Sequence, residues 1–396
     1  MKFEMIFGML SIRLRLRLRP LIFALVFLAV QALNSGLQLG VTQADAANQC
    51  DQAFEKQSDA TNWSISVYDS RITALEDFFI ANKTKTVTEV IDAALKIDLR
   101  SKVFLLQSLT KTYKNTDLEF FTPLREDFKL LEDQLGQLSL ARSLKAKAVE
   151  LGEPALAEYF GKKEKFYESA YAAYLEKSGW LREPEVAAQK LRSKLSNFKS
   201  WPLVDTQREY LVGRLAKTLK NLHKDVKDEA FNHPDIELGL HELRRQLRWL
   251  GLQVQSFQGI VQLQSTELEG TKLRAWYQKM KKENPNLDTN KYAVLSAALV
   301  EKPVLIPQQY YVMLSQLIGE LGTFKDGAET EIYFREALEE TKSSAATTRK
   351  VMKKLRSTLG ESTMEFDHQK LSAATETQLR ETKFFKKFSE ALESMD

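Results

Sequence analysis

Residues 235–257, DIELGLHELRRQLRWLGLQVQSF, combine two regular spacings in one short stretch. At about 3.6 residues per helical turn, five apolar side chains fall on one face of a helix. These are Leu240, Leu243, Leu247, Leu250 and Val254. A second face, roughly 140° away, carries a basic stripe of His241, Arg244, Arg245 and Arg248. The pattern predicts an amphipathic helix that buries its leucines and presents its cations.

The basic stripe has little acidic compensation of its own. Glu242 is the only acid between His241 and Phe257, so a polyanion is a plausible partner. A basic face opposite a leucine face is also what an ordinary solvated helix presents. This stretch alone therefore leaves two interpretations open, a polyanion-binding surface and a solvated helix face.

The rest of the chain follows the same helical pattern. Charged residues make up 28% of the sequence and recur with leucine and alanine at helical spacing, whereas alternating β-type runs are nearly absent. Breaks at Gly152, Pro184 and Pro234 divide this series into helices. We therefore predict an all-α protein of two related antiparallel helical bundles, residues 50–200 and 201–396.

Three stretches carry more specific predictions. Mixed apolar spacing over residues 62–80 predicts a strand or an irregular segment that leads into the first helix. Gly136 is expected to interrupt one helix and Gly322 to end another, because glycine weakens a helix interior. The helical pattern weakens after Lys279, and the composition of residues 281–290, KKENPNLDTN, predicts a solvent loop.

The charge balance excludes a globally basic coat. The chain has 57 Lys and Arg against 53 Asp and Glu, for a formal charge of +4. Residues 1–46 hold five of these cations and only two of the acids, so the remainder is close to neutral. Any polyanion site must therefore be a local concentration of cations, and no specific nucleic acid is expected as a partner.

The N-terminus has the order of regions found in a secretory signal. Arginines alternate with leucines over residues 13–19, an apolar run follows at 21–30, and small residues surround Ala46. We predict that residues 1–46 are a signal peptide, that the protein is exported to the periplasm or secreted, and that the mature chain keeps no membrane span. An uncleaved anchor extending through Leu39 is the alternative. The single Cys50 excludes an intramolecular disulfide.

Signatures of catalysis and of cofactor binding are missing from the sequence. It has no Walker loop and no GxGxxG, GxSxG, HExxH or CxxC motif. His223, Asp225, His233 and Asp235 are close in sequence, but their spacing crosses a helix end and a turn, which favours a capped terminus over a metal site. We therefore predict a noncatalytic protein with no cofactor and no metal.

Two motifs resemble those of a known family. The run HELRRQLR at residues 241–248 is similar to the opening signature of the conserved histidine α-helical domain, CHAD, in which a His-x-x-Arg helix follows a long basic helix and a short turn. The run LIGELGTFKD at residues 317–326 resembles that family's Leu-Gly-x-x-Arg-Asp helix end, with Lys325 in place of the arginine. The resemblance covers residues 204–338. It implies two helical halves around a basic cavity and a role in binding inorganic polyphosphate.

The first half of the chain contains a fainter version of the same arrangement. Leu99-Arg100 stands in the place of Leu243-Arg244, and residues 131–136 echo residues 317–322 by placing a Leu-Gly pair on a helix. Ile97 stands where the histidine would be. The second half is longer between its two motifs, which predicts an insertion near residues 266–307.

Together these features predict an exported, noncatalytic binder of a phosphate-rich polyanion such as inorganic polyphosphate. The expected polyanion-binding residues are His241, Arg244, Arg245, Arg248 and Lys325, and His241 would strengthen binding as pH falls through about 6.5. The alternative is an envelope scaffold or protein-interaction protein without a ligand site. In that case the aromatic patch KFFKKF at residues 383–388 would be exposed and would contact a protein partner.

Overall fold

The computed structural model describes residues 62–290, 293–359 and 365–395. The first part of this chain forms six helices: α1 Trp63–Ala81, α2 Val87–Lys96, α3 Leu99–Tyr113, α4 Leu118–Glu150, α5 Pro154–Ser178 and α6 Pro184–Asn197. The predicted signal peptide, residues 1–46, lies outside the described residues.

The second part holds seven further helices, a π-helical turn and two short strands. In chain order they are α7 Gln207–Lys227, the π turn Glu237–His241, α8 Glu242–Ser256, β1 Val261–Gln264, α9 Thr271–Glu283, β2 Val304–Pro307, α10 Gln308–Glu340, α11 Ala345–Leu359, α12 Glu365–Thr382 and α13 Phe384–Glu393. Helix makes up nearly all of the regular structure in the described residues, so the predicted all-α class is confirmed.

The helices pack around α3 and α8. In the first part, α1 packs against α3 and α6, α3 against α4, and α4 against α5. In the second part, α7 packs against α8 and α13, α8 against α10, and α10 against α11 and α12. Because α3 and α8 also pack against each other, the apolar core is continuous from the first part to the second.

Helix α1 begins earlier than its sequence pattern predicts. The Asn62 side chain accepts hydrogen bonds from the backbone N–H groups of Ser64 and Ile65, which caps the first turn. The prediction of a strand or irregular lead over residues 62–80 is therefore wrong. The buried side chains of this helix share one face, but Trp63 and Ile65 are only partly buried and Ile80 is exposed. Its apolar residues therefore extend beyond the buried face, which obscures the helical period.

The two helices that carry Gly136 and Gly322 run straight through these glycines. Helix α4 continues to Glu150 and α10 continues to Glu340, so the predicted interruption at Gly136 and the predicted helix end at Gly322 are both wrong. A Cβ atom at position 136 would lie 2.7 Å from a terminal guanidinium nitrogen of Arg100. These glycines therefore serve close packing of a side chain across a helix rather than a break in the helix.

The predicted insertion contains a small crossover. Strands β1 and β2 pair in parallel, with Val261 opposite Val304 and Gln264 opposite Pro307. Between them, α9 extends to Glu283 and buries Leu273 and Met280. The predicted solvent loop therefore begins only after Glu283, and a short 3₁₀ turn at Leu287–Thr289 buries Leu287 within it.

The aromatic side chains of α13 lie in the core. Phe384, Phe385 and Phe388 are each at most 2% exposed, and the Phe388 ring stacks on Tyr310 with ring centroids 5.4 Å apart. The aromatic patch is thus the packing face of an amphipathic helix. Among the helices of the described residues, none is long and apolar enough to span a bilayer.

Candidate functional site

The π turn at the start of α8 orients His241. The Asp235 carboxylate accepts hydrogen bonds from the backbone N–H groups of Glu237 and Leu238, at 2.8 and 3.0 Å. Gly239 packs so closely that a Cβ atom there would lie 2.6 Å from the Asn232 carbonyl oxygen. The turn is therefore held from both sides, and it places Glu237 and His241 side by side.

His241 and Lys325 are both close to carboxylates. His241 Nδ1 lies 2.5 Å from a Glu237 carboxylate oxygen and 4.0 Å from a Glu329 carboxylate oxygen. Lys325 Nζ lies 2.6 Å from the other oxygen of Glu329, on the next turn of α10. These acids come from outside the basic stripe, and they reduce the positive charge that His241 and Lys325 offer to an anion.

Arg244 lies across α10. A Cβ atom at position 322 would be 2.9 Å from its Nε and 3.0 Å from a terminal nitrogen, and its Nε donates to the Ile318 carbonyl oxygen at 3.4 Å. The structure therefore brings Arg244, Lys325 and His241 together along one side of α10. Three of the five predicted site residues share this surface.

The other two predicted residues point toward α3. Arg245 is exposed and forms an ion pair with Glu242, one turn earlier on α8. The guanidinium carbon of Arg248 lies 4.0 Å from the centroid of the Phe104 ring on α3. The basic stripe is thus divided between a surface facing α10 and a surface facing α3.

Arg100 joins this second surface and was not among the predicted site residues. Its guanidinium carbon lies 5.3 Å from the centroid of the same Phe104 ring, and its Nε donates to Glu132 at 2.5 Å. Burial raises the pKa of the Glu132 carboxyl, while the nearby Arg100 charge opposes that rise. The alignment of Arg100 with Arg244 is the feature of the sequence that could have identified Arg100 as a site residue.

A small cavity lies beside Arg248. Its volume is about 160 Å³, and its walls come from α3, α8, α10 and the loop before β2. Most of its lining is apolar or amide, with Leu105, Leu252 and Ile318 contributing and Arg248 supplying the cation. The cavity has room for water or a small group beside the guanidinium, rather than for a large organic ligand.

A further group of cations surrounds Lys111 on α3. Its Nζ lies 4.7 Å from the centroid of the Trp249 ring on α8. Burial, together with the charges of Arg125, Arg245 and Lys114, lowers the Lys111 pKa to about 8, against a smaller opposing effect of Glu242. The potential here is positive despite the near-neutral composition of the chain.

The described residues contain one group of side chains with the donor types of a metal site. Donor atoms of Glu237, His241 and Glu329 all lie within 4.8 Å of one another. Lys325 already neutralises Glu329, so these three residues form a compensated polar cluster. The four residues considered at the sequence level, His223, Asp225, His233 and Asp235, do not form such a group.

His233 has a structural set of partners instead. Its Nδ1 lies 2.8 Å from the Ser372 hydroxyl and its Nε2 lies 2.7 Å from a Glu376 carboxylate oxygen, both on α12. Ser372 and Glu376 are buried, at 0% and 4% exposure. The network therefore anchors α12 to the turn before α8.

Comparison of the chain with protein-family models, with curated proteins and with solved structures finds no match.

Proposed function

We propose that the protein is an exported, noncatalytic helical protein that binds a phosphate-rich polyanion such as inorganic polyphosphate. The observation that carries this proposal is the meeting of Arg100 and Arg248 on the ring of Phe104. Two guanidinium groups from distant parts of the chain are held on one aromatic ring, beside a small cavity. A site of this kind concentrates positive charge locally, which a nearly neutral chain needs in order to hold a polyanion.

An internal relationship between the two halves supports the same proposal. Arg100 lies against Gly136 as Arg244 lies against Gly322, and the helices that carry these glycines, α4 and α10, are both 33 residues long. The packing partners also correspond, since α1 packs on α3 and α6 much as α7 packs on α8 and α13. We therefore interpret the chain as two CHAD-like helical halves, of which the second carries the insertion.

Equivalent positions of the two halves touch each other where α3 meets α8. If Arg100 is aligned with Arg244, then Phe104 corresponds to Arg248 and Tyr113 corresponds to Phe257. The first pair forms the cation–π contact, and the second pair has ring centroids 6.1 Å apart. The proposed site thus lies where equivalent positions of the two proposed halves meet, and both halves contribute cations to it.

The chemistry of arginine suits a phosphate chain. A guanidinium group stays charged at all physiological pH values and makes paired hydrogen bonds to phosphate oxygens. Arg244 and Arg248 are one helical turn apart on α8, a rise of about 6 Å, which a flexible chain of phosphate groups can span. Arg244 and Arg248 are therefore the main binding residues, whereas His241, Lys325 and Arg245 contribute less because Glu237, Glu329 and Glu242 compensate them.

The test is a comparison of two double variants. Arg244→Ala with Arg248→Ala should weaken polyphosphate binding at low salt by at least about tenfold, because each lost charge-assisted hydrogen bond is worth about 1.5–3 kcal/mol. Arg182→Ala with Arg349→Ala removes the same charge from two exposed positions, one in a turn and one on α11, and should leave the affinity unchanged within about twofold. Two results would contradict the proposed function. One is equal affinity of the two double variants for polyphosphate, and the other is a parent protein that does not bind polyphosphate at low salt.

The scaffold alternative has less support. It requires an exposed aromatic patch, but Phe384 and Phe385 are both buried, with Phe384 packed against Tyr310, Trp276 and Phe385. Polyphosphate binding that falls steeply with added salt would distinguish the two functions, because a scaffold contact through apolar side chains is much less sensitive to salt.

A further inference from the structure

We propose that Lys111, Lys114, Arg125 and Arg245 form a second anion site, which binds a phosphate group at the Lys111 ammonium that lies over Trp249. We call this group of four cations the Lys111 site. Its residues belong to α3, to the residue that follows α3, to α4 and to α8. Only Arg245 belongs to the basic stripe, so the site extends beyond the residues that carry the proposed function.

The arrangement at Lys111 is unusual for a lysine on a helix. The side chain is half-buried in the last turn of α3, and its ammonium group lies over the Trp249 ring at 4.7 Å. In the part of the chain that the structure describes, no carboxylate lies within ion-pairing distance of this ammonium. The aromatic face and the helix C-terminus stabilise the charge in part, but neither supplies a hydrogen-bond acceptor to it.

The neighbouring charges are mostly of the same sign. Arg125, Arg245 and Lys114 act on Lys111 across space, and Glu242 is the one acid with an opposing effect. Glu242 is already paired with Arg245. Arg125 is similarly paired with Glu126, its neighbour in sequence, at 3.2 Å. Two acids, Glu242 and Glu126, therefore offset part of the charge of the four cations, and the net charge of the Lys111 site is positive.

A phosphate group matches this excess. Its oxygens can accept hydrogen bonds from the Lys111 ammonium and the Arg245 guanidinium at once, and its charge relieves the repulsion among the four cations. The half-buried position strengthens these interactions, because fewer water molecules screen them. The ligand is therefore either free phosphate or one phosphate group of a polymer, and the two sources are separated by experiment.

Chemical labelling tests the site without a mutation. A half-buried lysine whose pKa is lowered to about 8 is partly neutral at pH 8, so an amine-acylating reagent should modify Lys111 faster than the exposed Lys96 on α2. Millimolar inorganic phosphate should then slow the labelling of Lys111 several-fold and leave Lys96 unchanged, as measured by peptide mass spectrometry. A chloride solution of the same ionic strength, without sulfate, is the control for general screening of charges by salt.

A second measurement separates the two sources of phosphate. Polyphosphate binding is compared for the parent, Lys111→Met, Lys111→Arg and Lys96→Met. If the site holds a link of the polymer, Lys111→Met should lower the affinity about three- to tenfold, Lys111→Arg should restore it, and Lys96→Met should match the parent. If free phosphate protects Lys111 while all four proteins bind polyphosphate equally, the site takes free phosphate alone.

The outcomes also separate this inference from the proposed function. Protection of Lys111 by phosphate in a protein that does not bind polyphosphate would support the Lys111 site and remove the proposed function. Polyphosphate binding with no protection of Lys111 by either ligand, and with full affinity in Lys111→Met, would overturn the Lys111 site and leave the proposed function standing.

Discussion

The guanidinium group of Arg244 occupies the space that a side chain at position 322 would need. A Cβ atom there would lie 2.9 Å from the Arg244 Nε, closer than such atoms approach without displacement. Gly322 sits in the interior of α10, where glycine costs about 0.5–1 kcal/mol relative to alanine. The helix therefore carries a destabilising residue at the one place where the arginine crosses it.

Gly322→Ala should accordingly displace Arg244 from α10. We expect the free energy of unfolding to stay the same or to fall, because the gain in helix propensity is offset by loss of the Arg244 contacts. Gly213 is the matched control, since a Cβ atom there meets nothing within 4 Å, and Gly213→Ala should raise the free energy of unfolding by about 0.5–1 kcal/mol.

A double-mutant cycle isolates the interaction between Arg244 and position 322. In an Arg244→Ala background, Gly322→Ala should become stabilising by about the same amount as Gly213→Ala, giving an interaction energy of about 0.5–1.5 kcal/mol by urea unfolding. An interaction energy of zero would mean that the guanidinium group moves aside freely and does not need the glycine.

The buried contact between His233 and Glu376 should matter for stability rather than for binding. Glu376→Gln removes a carboxylate that accepts from His233 and is 4% exposed, so it should lower the free energy of unfolding by about 1–3 kcal/mol. Glu381→Gln, at an exposed position on the same helix, should change it by less than about 0.5 kcal/mol. Polyphosphate affinity should be the same in both variants at temperatures where both are folded.

The stability of the protein should depend on pH through Lys111. Its pKa is lowered from 10.5 to about 8 in the folded protein, first by burial and then by Arg125, Arg245 and Lys114, against Glu242. Between pH 8 and 10.5 the unfolded chain binds more protons at this position, so the contribution of Lys111 to stability rises with pH. Below pH 8 the charged side chain is a net cost to the fold.

Lys111→Met should therefore stabilise the protein at pH 7, by about 1–3 kcal/mol. The difference from the parent should shrink as pH rises from 8 to 10.5, whereas Lys96→Met should show no such trend. Thermal unfolding across this pH range provides the measurement. A difference that stays constant with pH would show that Lys111 titrates alike in the folded and unfolded states.

A backbone position offers a simple stability test. Lys342, just after α10, has a positive φ of 53°, a conformation that costs a residue with a side chain about 1 kcal/mol. Lys342→Gly should therefore raise the melting temperature. Lys350→Gly, inside α11 and also exposed, should lower it, because glycine weakens a helix interior.

Local periodicity was enough to predict most of the helices. The leucines of α8 are buried as the apolar spacing implies, and α6 begins at the predicted break at Pro184. The roles of Gly136 and Gly322 could not be predicted in the same way. A glycine that ends a helix and a glycine that admits an arginine have the same local sequence signal, and only the position of the distant Arg100 or Arg244 separates them.

The candidate site was predictable only in part for a related reason. The residue spacing along α8 identified Arg244 and Arg248, because the face of the helix on which they lie follows from the sequence of α8 alone. The compensation of Lys325 by Glu329 needs only α10, but that of His241 by Glu329 depends on how α10 packs against the π turn. The Lys111 site likewise combines residues from three helices, so no stretch of sequence contains its signal.

The packing of α1 against α6 has a consequence for the order in which the chain folds during synthesis. Arg192 on α6 forms ion pairs with Asp69 and Glu76 on α1, both at 2.6 Å. More than a hundred residues separate the end of α1 from the end of α6, so at about 5–20 residues per second a nascent α1 waits roughly 5–25 s for this partner. During that interval the part of the α1 surface that α6 later covers is exposed to solvent. A chaperone that holds nascent chains would bind α1 at this apolar surface.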